Sequence, residues 1–298
     1  MALTALRNIY DKKYKALLIC SFILLFSMIG VLIYSYATTG EVVQKGVSLK
    51  GGITVTVQVG SVDVPALHAF LSTKFPSSDI NVRESGEVGR GRSVIVEASD
   101  VESAPLLDAL AERVTFDRSA ATVETVGSAL GSTFFSQTIK ALIIAFISMA
   151  IVVYLTFRSG LPSLFVILAA VSDIISTLAV TSLIDVRLST AGIAAFLMLI
   201  GYSVDTDILL TSRVLKRGGG SVLDRTIGAM KTGLLMTGTA LTATIIGVFF
   251  SESDVIKQIM LILTIGLLFD VVYTWIQNAG ILRWYLEWKD GKAQSDNH

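Results

Sequence analysis

Reactive and metal-binding residue types are scarce in this sequence of 298 residues. Its one cysteine, Cys20, excludes an internal disulfide and a cysteine-based zinc site. Its two histidines, His68 and His298, are too few for a multi-histidine metal centre, so we expect no metal and no cofactor. Charged residues make up only 16% of the chain, and 24 basic side chains balance 24 acidic ones. Because nucleic-acid-binding proteins carry a basic excess, we expect no nucleic-acid partner.

Long apolar runs are abundant instead, since 52% of the residues are hydrophobic. A helix needs about 20 apolar residues to cross a bilayer. Six segments meet or approach this length: Ala16–Tyr36, Ala141–Phe157, Leu161–Ile184, Ser189–Ser212, Gly228–Phe250 and Val255–Trp275. The first is too long for a signal-peptide core and is predicted to be an uncleaved anchor. The sequence predicts an α-helical polytopic membrane protein with six transmembrane helices, surrounded by membrane lipid.

The positions of lysine and arginine predict the orientation of these spans. If six spans alternate, twelve basic residues lie on one side: Arg7, Lys12, Lys13, Lys15, Arg158, Arg213, Lys216, Arg217, Arg225, Arg283, Lys289 and Lys292. Both termini are therefore predicted to be cytoplasmic, in a multi-pass protein of the cytoplasmic (cell) membrane. Residues 41–136 then lie outside the cytoplasm. They hold 12 acidic and 8 basic residues, a net charge of −4, and the rest of the chain has a net charge of +4.

The exterior segment has the pattern of a small folded domain. Strands are predicted at Ile53–Val59, Asp79–Arg83, Ser93–Ala98 and Ala120–Val126, with helices at Asp63–Phe75 and Glu102–Val114 and a turn at Glu87–Arg92. This β-α-β-β-α-β order predicts an α+β ferredoxin-like extracytoplasmic domain between helices 1 and 2. The predicted divisions are 1–40 for the N-terminal tail and first helix, 41–136 for this domain, 137–288 for helices 2–6, and 289–298 for the C-terminal tail. No nucleophile–base pair stands out in the domain, and we expect no enzymatic activity.

Five ionisable residues interrupt the apolar spans: Asp173, Asp205, Asp207, Lys231 and Asp270. Charges inside a bilayer are costly and usually mark an ion pathway, although static buried pairs are the alternative. Asp207 and Lys231 each lie about 7.5 Å from the cytoplasmic end of their span, which makes an Asp–Lys pair reasonable. Asp205 points about 200° away from Asp207 around the helix, so the two cannot share a face. We predict a proton relay or intramembrane polar network among the five.

Several segments carry recognisable motifs. Ser48–Ile53 (Ser-Leu-Lys-Gly-Gly-Ile), Val126–Gly131 (Val-Gly-Ser-Ala-Leu-Gly) and Gly201–Asp207 (Gly-Tyr-Ser-Val-Asp-Thr-Asp) resemble motifs of the SecF branch, of archaeal type, in the SecD/SecF family of protein-export membrane proteins. Ser172-Asp173 resembles the His-Asp pair of that family, and Lys231 stands where the family often has arginine. The family belongs to the resistance-nodulation-division superfamily, and the motif of the fourth span is the most specific of these resemblances.

The resemblance implies a non-enzymatic auxiliary subunit of protein export. Such a subunit pairs with SecD, assists the SecY translocon and contacts the translocating polypeptide. It uses the proton gradient through carboxylates of the fourth span, where Asp205 and Asp207 are both candidates. One alternative is a small-molecule or lipid exporter subunit of the same superfamily, which should be about twice as long. Another is an intramembrane aspartyl protease using Asp173 and Asp205, but Asp205 lacks the preceding Gly-x-Gly of that class.

Overall fold

Helices dominate the computed structural model, which describes residues 2–60, 62–87, 91–215, 220–251 and 253–295. In chain order they are α1 (Ala2–Thr39), α2 (Val47–Lys50), α3 (Val64–Lys74), α4 (Ser103–Ala111), α5 (Ser128–Phe157), α6 (Gly160–Leu183), α7 (Thr190–Leu215), α8 (Val222–Phe250), α9 (Asp254–Val272) and α10 (Ala279–Ser295). A short 3-10 helix covers Arg118–Ala120, and a π-helical segment at Tyr273–Asn278 joins α9 to α10.

Six of the helices in these ranges are long and apolar enough to cross a membrane, which confirms the predicted number. They are α1, α5, α6, α7, α8 and the continuous helix from α9 into α10. The last one extends well beyond Trp275, where the sixth span was predicted to end. The prediction stopped there because polar residues follow, but Gln277 and Asn278 are buried inside the bundle, so the helix continues.

Four strands form one antiparallel sheet in the α/β unit, by which we mean residues 52–126. The strands are β1 (Gly52–Val59), β2 (Ile80–Glu87), β3 (Gly91–Ala98) and β4 (Thr122–Val126), in the spatial order β2-β3-β1-β4. Alternate β1 residues, such as Val55 and Val57, are buried against α3 and α4. Asp63 caps α3 as its position suggests, because its carboxylate accepts a hydrogen bond from the amide of Ala66 at 3.1 Å.

The β2–β3 hairpin is longer than predicted. Glu87, Gly91 and Arg92 belong to strands, although the sequence placed them in a turn from Glu87 to Arg92. Their glycine-rich composition favoured a turn, but pairing with the neighbouring strand overrides this local preference. The predicted centre of that turn, residues 88–90, lies outside the described residues.

Glycine allows a close approach between α5 and the residue that leads into the α/β unit. Gly51 has φ of +87°, and a Cβ atom there would lie 2.4 Å from the Cα atom of Ser128. A Cβ atom on Gly131 would lie 2.6 Å from the amide nitrogen of Gly51. Two of the sequence motifs therefore meet at this junction, and side chains larger than hydrogen would force them apart.

Polar contacts also attach the α/β unit to the loop between α6 and α7. The guanidinium group of Arg187 donates to both carboxylate oxygens of Asp79, at 2.8 and 3.1 Å, and the Lys50 ammonium lies 3.2 Å from the same carboxylate. Backbone hydrogen bonds join Gly46 to Leu188 and Leu188 to Gln44, each at 2.8 Å. The unit is thus fixed at one end of the helix bundle.

The centre of the bundle is formed by α6, α7 and α9, which carry most of its buried side chains. Small residues bring these helices close together. A Cβ atom on Gly266 of α9 would lie 2.4 Å from Leu199 of α7, and one on Gly233 of α8 would lie 2.1 Å from the ring of Trp275. The outer faces of α1, α5 and α8 expose large apolar side chains, as expected for surfaces in contact with lipid.

Candidate functional site

Three carboxyl groups meet in the centre of the bundle. Asp173 of α6, Asp207 of α7 and Asp270 of α9 are each fully buried, and we call them the carboxyl cluster. Their helices are the three central ones, so each side chain points inward from a different wall. The sequence predicted all three as intramembrane polar residues, and the structure brings them together.

Asp270 is surrounded by hydroxyl groups. Its Oδ1 atom accepts hydrogen bonds from Thr206 and Thr274, both at 2.9 Å, and its Oδ2 atom accepts one from Thr237 at 3.4 Å. These threonines come from α7, the π-helical segment and α8. Asp270 therefore holds three parts of the bundle together through a single carboxyl group, and both of its oxygens are hydrogen-bonded.

Asp173 and Asp207 each have one oxygen with a partner and one without. The Ser203 hydroxyl donates to Asp173 Oδ2, and the Asn278 amide donates to Asp207 Oδ1 at 2.7 Å. Asp173 Oδ1 and Asp207 Oδ2 are buried with no hydrogen-bond partner among the described residues. A buried acceptor without a donor is costly when the carboxyl is ionised, whereas a proton on that oxygen removes most of the cost.

The π-helical segment supplies much of the polar lining around the cluster. Besides Thr274 and Asn278, its Gln277 amide donates to the hydroxyl of Ser172 at 3.2 Å, next to Asp173. Its Tyr273 hydroxyl lies 2.6 Å from that of Ser176. Single turns of π-helix are rare and occur often at functional sites. Here the wider turn directs successive polar side chains into the bundle.

No lysine or arginine bonds to the carboxyl cluster in the part of the chain that the structure describes. The structure does not pair Asp207 with Lys231, because Asn278 bonds to Asp207 and Lys231 is exposed on the outside of α8. Three carboxylate charges in one buried site without a cation would be strongly unfavourable. The arrangement is therefore suited to carboxyl groups that gain and lose protons.

Asp205 points away from the cluster, as its spacing from Asp207 predicts, and is exposed. Asp205 lies about 15 Å from the end of α7 and Lys231 about 14 Å from the start of α8, so both have a similar depth on adjacent antiparallel helices. Neither forms an ion pair or hydrogen bond within the described ranges. An aspartyl protease would need the carboxyl groups of Asp173 and Asp205 side by side. They are separated here, because Asp173 is buried and Asp205 is on the surface.

A cleft of about 450 Å³ connects the exposed and buried groups. Its lining includes Asp205 and Tyr202 at the surface and reaches Thr206 and Thr237. These two threonines donate hydrogen bonds to Asp270. The cleft therefore leads from Asp205 on the outside of the bundle to the hydroxyl groups that line the carboxyl cluster.

Sequence reasoning missed the polar partners of the cluster on the last helix. Thr274 and Asn278 follow Asp270 at intervals of four residues, a stripe of the same kind as Ser203, Asp207 and Thr211 on α7. The stripe was visible in the sequence and would have indicated a buried polar face. Only its last residue, Asn278, lies beyond Trp275, where the sixth span was predicted to end.

Comparisons with known proteins identify the family. Residues 107–288 match the family described as "Protein export membrane protein SecD/SecF, C-terminal". The chain is 40% identical to the protein-export membrane protein SecF of Methanolacinia petrolearia, over 96% of this chain and 97% of that protein. The chain belongs to the SecF family of protein-export membrane proteins. A second SecF relative, from Pyrococcus furiosus, is 38% identical over 96% of both chains.

Solved SecDF structures share the fold of this SecF family member. A crystal structure of SecDF from Thermus thermophilus, described as a translocon-associated membrane protein, has a TM-score of 0.73 and 20% identity to it. The match covers 92% of this chain and 38% of that one. A SecDF structure in a super-membrane-facing form has a TM-score of 0.55 at 18% identity, covering 97% of this chain and 39% of that chain. Membership of the SecF family makes the chain an auxiliary subunit of Sec protein export.

The SecF motif of the fourth span is divided between two environments. Ser203, Thr206 and Asp207 face the carboxyl cluster, whereas Tyr202 and Asp205 face the outer cleft. The motif resemblance left open whether Asp205 or Asp207 is the acting carboxylate. The geometry gives the two residues different surroundings, so each can be tested separately.

Proposed function

We propose that this SecF family member pairs with a SecD-type subunit and couples the proton gradient to polypeptide export. In this proposal it assists a SecY translocon in the cytoplasmic membrane, with both of its termini in the cytoplasm. Residues 41–136 are then an extracytoplasmic ferredoxin-like domain that contacts the translocating polypeptide. The β-α-β-β-α-β order and the strand order β2-β3-β1-β4 support that domain assignment.

The exposure of Asp205 and Lys231 carries the proposal for pairing. Charged groups at this depth in a membrane rarely face lipid, because they need a partner or a water-filled cavity. Asp205 lines the cleft on the surface of α7 and α8 together with Tyr202 and Thr206, and Lys231 is exposed on α8 at a similar depth. A second membrane subunit on this surface would enclose both charges and turn the cleft into a passage between the subunits.

The carboxyl cluster supports proton coupling. Protons that reach Asp205 from the passage could pass along Thr206 and Thr237 to Asp270 and its neighbours. Static buried pairs, the alternative considered from the sequence, would require a basic partner for these carboxyls. None bonds to them within the described ranges, and we therefore favour the relay.

Asparagine and methionine substitutions test this function. Asp205→Asn, Asp207→Asn and Lys231→Met are each expected to impair export of a secretory reporter in cells while the protein still assembles in the membrane. Asp185→Asn is the matched control, because Asp185 is exposed in the α6–α7 loop and asparagine tolerates its left-handed backbone. Normal export by all three variants would exclude the relay. The tagged chain can also be affinity-purified from membranes. If no SecD-like protein co-purifies with it, the pairing is excluded.

A further inference from the structure

The outer side of strand β4 is open. Among the described strands it pairs only with β1, in continuous register from Thr56 opposite Thr122 to Gly52 opposite Val126. Its residues from Thr122 to Thr125 are exposed. Edge strands in proteins are commonly blocked by charged side chains, especially lysine, by proline or by a bulge; β4 has no lysine, proline or bulge, and its one charged residue is Glu124. An unblocked edge of β-prone residues can bind another extended chain by strand addition.

The opposite edge of the same sheet is blocked by charge. In β2, Arg83 forms an ion pair with Glu97 at 2.9 Å and Glu84 forms one with Arg92 at 3.3 Å. The loop before β2 is held to the bundle through Asp79. The contrast indicates that the open edge at β4 is a local property of this strand rather than a general property of the sheet.

A polar cleft lies beside β4, between the α/β unit and the bundle. We call it the sheet–bundle cleft, and its volume is about 360 Å³. The sheet contributes Thr54, Glu97 and, from β4 itself, Glu124, while the bundle contributes Thr190 and Gln258. A chain paired with β4 would therefore extend along the rim of a cleft lined by hydrogen-bonding groups.

Two charged side chains in this cleft are buried with incomplete hydrogen bonding. The side chain of Glu97 is 9% exposed; its Oε1 atom accepts from Arg83, and its Oε2 atom has no partner among the described residues. The side chain of Arg187 is 11% exposed, and its Nε atom also lacks one there. Glu97 lies on β3, two strands from the open edge, and Arg187 bonds to Asp79 beside β2, so these two groups line the part of the cleft away from β4.

We propose that β4 binds an extended segment of polypeptide through its main chain, along the rim of the sheet–bundle cleft. The inference rests on the proposed function, in which the ligand is the chain being exported. Strand addition to β4 supplies main-chain hydrogen bonds, and Glu124 lies where the added chain would meet the cleft. Recognition of the main chain accepts segments of many sequences, which a protein-export component requires.

Disulfide cross-linking in the full-length chain tests this site. Single cysteines replace Thr122, Val123, Glu124 or Thr125 in a Cys20→Ser background, with Asn81 and Arg83 of β2 as controls. The probe is a secretory reporter, arrested in the membrane by a stably folded C-terminal domain, with one cysteine in its unfolded stretch. Because side chains alternate along a strand, cysteines at 122 and 124 should behave alike and opposite to those at 123 and 125. Moving the reporter cysteine by one residue should reverse the pattern.

A charge substitution gives an independent measurement. Thr122→Lys should reduce the cross-linked fraction at Glu124→Cys several-fold, because a lysine blocks an edge strand. Thr73→Lys, on the exposed side of α3, should leave the cross-linked fraction unchanged.

Three outcomes would overturn the inference: cross-linking without alternation, equal cross-linking at β2, or cross-linking of β4 to a SecD-type subunit instead of the reporter. If β4 gives no cross-link while Asp205→Asn still abolishes export, the inference fails and the proposed function stands. If export of the reporter does not depend on the chain at all, the proposed function fails.

Discussion

At the scale of single residues, the hydrogen bonds to Asp270 are the most informative. Thr206→Val keeps the shape of the side chain but removes one donor from a fully buried carboxyl group. We expect the unfolding free energy to fall by about 1–3 kcal/mol. Thermal unfolding of the purified protein in detergent measures this. Thr242→Val is the control, because Thr242 is exposed and bonds only to the backbone of its own helix. Equal melting temperatures for the two variants would contradict the role given to Thr206.

The contact between Asp79 and Arg187 yields a prediction about pH. Partial burial favours a raised pKa for Asp79, but the hydrogen bonds and charges of Arg187 and Lys50 outweigh it and hold the pKa below its ordinary value. The stabilisation is therefore present at neutral and mildly acidic pH and is lost only as the pH falls through that lowered pKa, below about 4. Spin labels on α3 and on the outer end of α9 should keep a constant distance from pH 8 to pH 5.

Arg187→Lys should loosen the same contact over the whole pH range. Lysine keeps the charge but lacks the planar fork of two nitrogens with which Arg187 donates to the two carboxylate oxygens of Asp79. The distribution of distances between the two spin labels should become broader. Arg113→Lys provides the comparison, because Arg113 stacks on Phe70 within the α/β unit. A distribution as narrow as that of the unsubstituted protein would show that the contact contributes nothing to docking.

Residue identity predicted which side chains are unusual, but not always their partners. The spacing of Asp205 and Asp207 correctly put them on different faces of α7. The partner of Asp207 could not be predicted from depth alone, because Lys231 and Asn278 lie on different helices whose rotation depends on packing. Asn278 faces inward with the π-helical segment, and Lys231 faces outward on α8.

At the scale of elements, the glycine junction between the α/β unit and α5 can be tested directly. Gly131→Ala would put a Cβ atom 2.6 Å from the backbone of Gly51. We expect a loss of about 1–3 kcal/mol in unfolding free energy, because the backbones must separate. Gly60→Ala is the control, since a Cβ atom there meets nothing within 4 Å. Chemical or thermal unfolding of both variants checks the difference, and an unchanged Gly131→Ala protein would refute the close contact.

Elements with regular patterns were the most predictable. Alternation along β1 and long apolar runs gave the strand and the six helices close to their observed positions. The π-helical segment could not be predicted, because it depends on tertiary packing: Trp275 fits against Gly233 on a neighbouring helix, and the polar side chains on either side of Trp275 find partners in the bundle. Local sequence preference carries no signal for such a turn.

At the scale of the whole molecule, contacts at both ends of the bundle contrast with one open side. At one end Arg187 holds the α/β unit. At the other, Arg283 bonds to Asp11 at 2.8 Å and to Glu287 at 2.9 Å, and its guanidinium group lies over the ring of Tyr14. Between these ends, the surface of α7 and α8 exposes Asp205 and a cleft. The sequence predicted how charge is separated along the chain. It could not predict this open surface, because the surface depends on how all six helices pack together.

The polar lining on the last span also constrains how the protein is made. A single aspartate at the centre of a helix adds about 2.5–3.5 kcal/mol to the free energy of membrane insertion, and this span carries Gln277 and Asn278 in addition to Asp270. Its hydrogen-bond partners, among them Thr206, Thr237 and Ser172, lie on α6, α7 and α8, which are synthesised earlier. The last helix therefore gains its polar contacts only after those three helices are in the membrane. The carboxyl cluster can therefore be completed only once the last helix has joined the bundle.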